Sequence, residues 1–285
     1  MKRTFFADYF QRRMFSSLSR HLAGSTENFH QSWTTSSAVV FSPHFDDETL
    51  GCGGTIINKI RAGARLQLVF MTDGSTSHSH LISKEQLNKI RSSEGLAAAQ
   101  CLGIKTENVF LLNIPEGQLE RYSSEAGLKV RNILKAFNPD DVYIPHQKEP
   151  LLWSADHIAT NRIVMRELQK QKNIRTIWEY PIWYWFHWPW VRVDLRQRQY
   201  TKIILKNSLA SGFGLRTGLD LNFGVPIKEE LGVKMQALMQ HRSQMTRLIA
   251  DNRWATLNDV AGGDFVKLFF RKIEFFRRTQ TARGI

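Results

Sequence analysis

Residues 38–62 read AVVFSPHFDDETLGCGGTIINKIRA. Ala38–Phe41 is a short apolar run rich in Val, which reads as a strand. Ser42–Glu48 is a polar turn, and Leu50–Ala62 brings apolar residues back at helical spacing. The same alternation then continues. Arg65–Met71, Val109–Asn113, Val142–Pro145 and Arg175–Pro181 read as strands. Lys84–Leu102, Gly127–Phe137 and Ala155–Gln171 read as the helices between them. Strands that alternate with helices predict an α/β fold: a Rossmann-like, mostly parallel sheet with helices on both faces and its active site at the carboxyl edge of the strands.

Outside this core the patterns change. Residues 4–22 place Phe5, Phe6, Tyr9, Phe10, Met14, Phe15, Leu18 and Leu22 at the spacing of an amphipathic helix. Gly24–Ser37 is rich in Ser, Thr, Asn and Gly and reads as a linker or loop. After Tyr180, Ile182–Trp190 is dense in aromatics and Lys202–Leu205 suggests a further strand. Phe213–Pro226 is Gly-rich and irregular, Pro226–Ile249 reads as a long helix, and Phe265–Arg278 as a final basic amphipathic one. The expected division is an N-terminal extension and linker over 1–37 and a catalytic domain over 38–285.

Composition narrows the class. The 285 residues are 42% hydrophobic and 11% aromatic, which suits a globular core. No run approaches the ~18 uninterrupted apolar residues of a membrane span. Asp8, Arg12 and Arg13 interrupt the N-terminal apolar residues, so this stretch does not read as a signal peptide and a cytoplasmic chain is expected. Two cysteines, Cys52 and Cys101, make no disulfide framework. The net charge is +13, from 39 basic and 26 acidic residues. Residues 1–21 carry a net +4 and residues 265–285 a net +5, so nine of the thirteen charges lie at the two ends. A nucleic-acid enzyme would spread basic charge around a groove, so no nucleic-acid partner is expected. Basic amphipathic ends instead suit peripheral contact with anionic lipid at the inner face of a membrane. The bland alternative is that the ends pack onto the domain or form a homo-oligomer.

The polar residues after the strands locate the chemistry. The first strand is followed by Ser42-Pro43-His44-Phe45-Asp46-Asp47-Glu48, the second by Thr72-Asp73-Gly74, the third by Ile114-Pro115-Glu116-Gly117, and the fourth by Pro145-His146 and then Asp156-His157. In a parallel sheet these turns share one edge. Three consecutive acids there repel one another unless something positive joins them. Helix capping explains one acid, not three and a histidine. A divalent metal explains the rest: His44 and Asp47, across a tight turn, can point at one ion. His157, at the start of a helix on the same edge, is the best third ligand. Two histidines and a carboxylate are a hydrolytic Zn²⁺ set, and such ligands also accept neighbouring divalent metals. Gly51-Cys52-Gly53-Gly54 is the kind of run a dinucleotide loop uses, but its third glycine would be Ile56 and its neighbours are acidic.

These residues resemble the PIG-L/LmbE-like family of zinc-dependent N-acetylglucosaminyl de-N-acetylases. The family's PHxDDE signature is similar to Pro43–Glu48 here, its RxxE helix to Arg91–Glu94, its PDGxL turn to Pro115-Glu116-Gly117-Gln118-Leu119, and its late HRSQ motif to His241-Arg242-Ser243-Gln244. The resemblance spans about residues 38–276. It implies that His44, Asp47 and His157 hold the metal, that Asp46 is the catalytic base, and that an acetyl group leaves an N-acetylglucosamine unit linked to a lipid, inositol or other aglycone. One departure stands out: the family's HxDH motif is Ser154-Ala155-Asp156-His157 here, with Ser154 in the place of a histidine. His146 or His187 could stand in for it. Asp156 would orient a ligand or a nearby imidazole, and Arg91, Glu116, Ser154 and His146 would meet the substrate. The rival expectation is a saccharide-binding or scaffold protein that kept the fold and lost turnover. Asp73 reads as a turn residue before Gly74, and the tryptophans of residues 178–190 as core or interface rather than a sugar platform.

Overall fold

The computed structural model describes Tyr9, Arg13, Met14, Ser16, Ser17 and residues 32–150, 155–171, 173–193 and 198–281. The amphipathic reading of residues 4–22 and the position of Ser154 therefore fall outside the described residues. Strands β1 (Ala38–Ser42), β2 (Leu66–Thr72), β3 (Val109–Ile114), β4 (Asp141–Pro145), β5 (Thr176–Tyr180), β6 (Phe223–Pro226) and β7 (Ile273–Gln280) form one sheet in the order β3-β2-β1-β4-β5-β7-β6. The first five are parallel; β7 runs antiparallel to both β5 and β6.

Alternation along each strand feeds two cores. Ala38, Val40, Leu66, Leu68, Phe70, Tyr143 and Trp178 face one side. Val39, Phe41, Val69, Met71, Val142, Ile144 and Ile177 face the other. This is the two-residue period of a sheet covered on both faces. The first side is covered by α1 (Asp47–Arg61), α2 (Lys84–Cys101) and α6 (Leu231–Gln240), the second by α3 (Ser123–Phe137) and α4 (Ala155–Leu168). α5 (Arg198–Ala210) lies beyond the aromatic segment.

Glycines 51 and 54 of α1 answer a packing need. A Cβ on Gly51 would sit 2.4 Å from the Tyr180 ring, and one on Gly54 would sit 2.4 Å from Ile227. The run lets α1 press against β5 and the approach to α6.

Four expectations are corrected. Lys202–Leu205 is part of helix α5, in which Thr201, Ile204 and Ser208 are the buried positions, at helical spacing. Phe213–Pro226 contains the single helical turn Thr217–Asp220 and strand β6. Pro226–Ile249 is broken into a 3-10 turn Lys228–Glu230, then α6, then a one-turn helix Arg242–Met245. Phe265–Arg278 is a short helix, Asp264–Phe269, followed by β7. The basic residues of that last segment serve the sheet: Arg277 pairs with Glu179 at 3.0 Å, and Arg278 lies over the rings of Trp178 and Phe223. Part of the presumed linker is also built into the domain. Trp33 is buried against Trp178, and Ser37 hydrogen-bonds Asp140.

A buried ion pair ties the late elements to the first helix. Lys234 Nζ donates to Leu50 O, Phe269 O and Glu274 Oε1 at 2.7–2.8 Å. Glu274 in turn accepts from the backbone N–H groups of Gly54 and Thr55 and from the Thr55 hydroxyl. Gly53 leaves room for the lysine stem, whose Cγ would be 3.1 Å from a Cβ there.

Candidate metal centre and crevice

Strand order reverses between β1 and β4, and in open α/β sheets ligands bind outside the carboxyl ends at that point. A crevice of about 330 Å³ opens there, within the size of small-molecule sites. The turn after β1 supplies His44, Asp46 and Asp47. The turns after β2 and β3 supply Thr76 and Glu116, and the start of α4 supplies Asp156.

Asp47 is the hub. Its Oδ2 lies 3.3 Å from His44 Nδ1 and 3.2 Å from His157 Nε2, and it also accepts from the His44 backbone N–H. One atom from each of the three residues lies within 4.8 Å of the others. Ligands ~2.1 Å from a tetrahedral ion stand roughly 3.4 Å apart, so the two distances around Asp47 suit a common cation. His157 supports the same fit: it is fully buried, and among the described residues neither ring nitrogen has a well-aligned hydrogen-bond partner, the Asp47 carboxylate being close to Nε2 but off line. Buried imidazoles are ordinarily satisfied. Burial alone would raise the Asp47 pKa, but His157 and His44 pull it below the ordinary carboxylate range. Burial likewise lowers the His44 pKa, and Asp156, Asp47 and Glu116 outweigh it, raising it well above the usual value. Such a crowd of carboxylates favours a positive charge at this spot.

Asp46 immediately precedes α1, with φ 121°. Residues other than glycine rarely adopt this conformation, and asparagine and aspartate do so most readily. The conformation is held from both ends: the Asp46 carbonyl accepts from Thr49 and Leu50 N–H, and its own N–H donates to Glu48 Oε2. The Asp46 carboxylate is buried, lines the crevice, and makes no hydrogen bond among the described residues. Burial and the adjacent Asp47 push it up to about 7, against the pull of Arg91.

The remaining residues form a support around this centre. Asp156 accepts from Gly117 and Leu119 N–H and lies 3.2 Å from His44 Nε2, so it orients the imidazole and fixes the β3 turn. Arg91 is buried. It donates to Phe45 O, and its Nη1 lies 3.5 Å from Glu116. Glu116 accepts from Thr76 N–H. Asp73 is a turn cap, accepting from Ser75 and Glu116 N–H. Trp183 and Phe265 stack at 4.7 Å and form an apolar wall, while Trp178, Tyr184, Trp185 and Trp190 are buried. His146 and His187 do not line this crevice. His146 packs against Tyr184, and His187 lines a second cavity with Lys148, Lys206, Arg216 and Asp220. Burial lowers both imidazoles to about 4, so both are neutral at pH 7.

Sequence reasoning assigned no role to His241, Ser243, Gln244 or Glu94. His241 Nε2 is 2.8 Å from Glu48 Oε1, the carboxylate that also holds Asp46. Ser243 donates twice to Glu94, and Gln244 lines the crevice. The late motif is therefore the partner of two earlier ones far away in the chain, at Glu48 and at Glu94, a pairing that no local pattern signals. Burial lowers the His241 pKa, but the charge and hydrogen bond of Glu48 outweigh it, so it stands above 6.5. Stability from this pair is fully present below the unfolded value of about 6.5 and is lost as pH rises through the higher folded value. Urea midpoints of the wild type are expected to fall over that window, and His241→Gln to flatten the fall. An unchanged slope in the variant would remove His241 from the linkage.

Residues 39–168, which hold every ligand candidate, match the profile of the PIG-L family, described as GlcNAc-PI de-N-acetylase. This segment is a PIG-L family segment. Comparison with curated proteins gives no significant match. Among solved structures, the N,N'-diacetylchitobiose deacetylase from Pyrococcus horikoshii is similar at 22% identity and TM-score 0.60, over 98% of this chain and 94% of that one. A deacetylase of the teicoplanin biosynthetic pathway, a triple mutant, is similar at 17% identity and TM-score 0.58, over 87% and 99%. The 4-carboxy-2-hydroxymuconate hydratase GalB from Pseudomonas putida KT2440 is similar at 14% and 0.54, over 82% and 84%. At these identities the likeness is one of fold, and the hydratase shows that the fold hosts more than one reaction.

Proposed function

We propose that the chain is a divalent-metal-dependent hydrolase that removes an acetyl group from an N-acetylated amino sugar carried on an aglycone. The observation that carries this reading is the convergence of His44, Asp47 and His157 beside a buried carboxylate, Asp46, that makes no hydrogen bond among the described residues. Two nitrogens and one oxygen are the donor set of hydrolytic Zn²⁺ sites, which makes Zn²⁺ the first choice of ion. A bound ion supplies a Lewis acid for the acetamide carbonyl.

The chain's own residues do the rest. Asp46 accepts a proton at its carboxylate from the water that attacks the acetyl carbon. It then passes the proton to the amine nitrogen as the C–N bond breaks, leaving acetate and a free amino sugar. Asp156 keeps His44 in orientation, and Glu48 with His241 keeps the strained Asp46 in place. Glu116 and Arg91, on the crevice wall, contact the sugar, and the Trp183–Phe265 wall offers it an apolar face. Ser154 takes the position where the family has a histidine.

That substitution favours one other reading, a saccharide-binding protein without turnover: among the described residues no imidazole except His44 lines the crevice. Acetate release from a panel of N-acetylglucosamine conjugates separates the two, with chelated and Zn²⁺-reloaded protein compared. Reloading is expected to restore turnover. It should also raise the melting temperature, because an ion at about 100 times its Kd adds about 2.7 kcal/mol to the folded state. Stabilisation by metal without acetate from any conjugate would support the binding protein. Neither effect would remove the metal centre itself.

A further inference from the structure

We propose that the hairpin formed by α5 and the turn after it is a docking surface for an anionic lipid bilayer. Five large apolar side chains crowd this stretch and stay in solvent: Leu205, Leu209, Phe213, Leu215 and Leu219, the last two 77% and 84% exposed. Soluble chains rarely leave such a cluster uncovered without a use for it. From Leu195 to Leu219 the sequence holds Arg196, Arg198, Lys202, Lys206 and Arg216 and no acidic residue. Lys202, Lys206 and Arg216 are exposed among the leucines, and neither Lys206 nor Arg216 pairs with a described carboxylate. Asp194 and Asp220 flank this run, and Asp220 is paired with Lys148. Apolar side chains set in such a predominantly basic rim suit the boundary of an anionic membrane, with leucines dipping among the acyl chains and cations meeting phosphates. A second copy of this chain fits less well, because the rim would face its own positive charge.

Two further features agree. Met14 lies 3.5 Å from the Cβ position of Gly214, and Met14 belongs to the N-terminal stretch of net +4. No described helix is long and apolar enough to cross a membrane, so contact would be made from the surface. The inference does not depend on the proposed reaction.

The test is vesicle flotation of the full-length protein. Vesicles of phosphatidylcholine with about one third phosphatidylserine are compared with phosphatidylcholine alone. Binding to the anionic vesicles is expected, weak binding to the neutral ones, and release at about 1 M salt, where the screening length is about 3 Å. Leu215→Ser/Leu219→Ser and Lys202→Glu/Lys206→Glu are each expected to weaken the partition at least about tenfold. All four side chains are exposed, and unchanged melting curves would show that the variants fold. Equal binding to both vesicle types, or variants that float like the wild type, overturns the proposal. So does a wild-type dimer that the leucine variant converts to a monomer without any vesicle binding.

Discussion

Asp46→Asn protein is expected to release acetate about 10²- to 10⁴-fold more slowly than the wild type, the range typical of a lost general base. Metal content and melting temperature are expected to stay the same. Asparagine keeps the shape of the side chain and tolerates the positive φ of this position. It also keeps the backbone N–H that Glu48 accepts. The Asp46 carboxylate makes no hydrogen bond among the described residues, and removing it leaves one fewer charge beside the buried Asp47. The substitution therefore strips out proton transfer and little else. Single-turnover acetate release with metal analysis on the same sample checks it. A variant that keeps more than about a tenth of the rate would move the base elsewhere. A variant that loses its metal would make Asp46 part of the ligand set.

Lys234→Met is expected to destabilise the fold by about 3–5 kcal/mol, the usual cost of removing one partner of a buried ion pair. Lys234 is fully buried, and methionine has a similar length and volume, so the effect is electrostatic and not a cavity. The variant leaves the carbonyls of Leu50 and Phe269 without this donor and Glu274 without its counter-charge. Adding Glu274→Gln to Lys234→Met is expected to recover part of the loss, because the two sites share one network and their effects do not add. Urea unfolding of the two single variants and the double variant measures the coupling. A Lys234→Met change below about 1 kcal/mol, or strict additivity, would mean that the network contributes little to holding β7 on α1.

The local alternation from Ala38 to Tyr180 was legible because each strand and helix there carries its own period and its own turn residues. The crevice edge followed from it: parallel connections send every β-to-α turn to one side. His44, Asp46, Asp47, Glu116, Asp156 and His157 could be gathered at that edge from their order in the chain alone. The tertiary structure set the distances, bringing ligand atoms of His44, Asp47 and His157 within 4.8 Å. It also separated Arg91, which is buried in the crevice wall, from His146, which lies behind Tyr184.

Beyond Tyr180 local pattern was a poor guide. Lys202-Ile-Ile-Leu205 is too short an apolar run to tell strand from helix. The wider burial of Thr201, Ile204 and Ser208 decides for helix. The end of the chain looked like a basic amphipathic helix because Phe265 and Phe269 are helically spaced, yet Arg277 on β7 meets Glu179, 98 residues earlier. Strand pairing is a contact between distant segments, and only the closed sheet selects it. The same holds for His241 with Glu48 and for Lys234 with Glu274. The α/β alternation, the edge that bears the polar residues and the basic charge of the molecule are written in the order and composition of the chain, since these depend on near neighbours. Which motifs touch, which charges are buried and which leucines are left in solvent emerge from the folded chain alone, because these depend on how distant segments pack together.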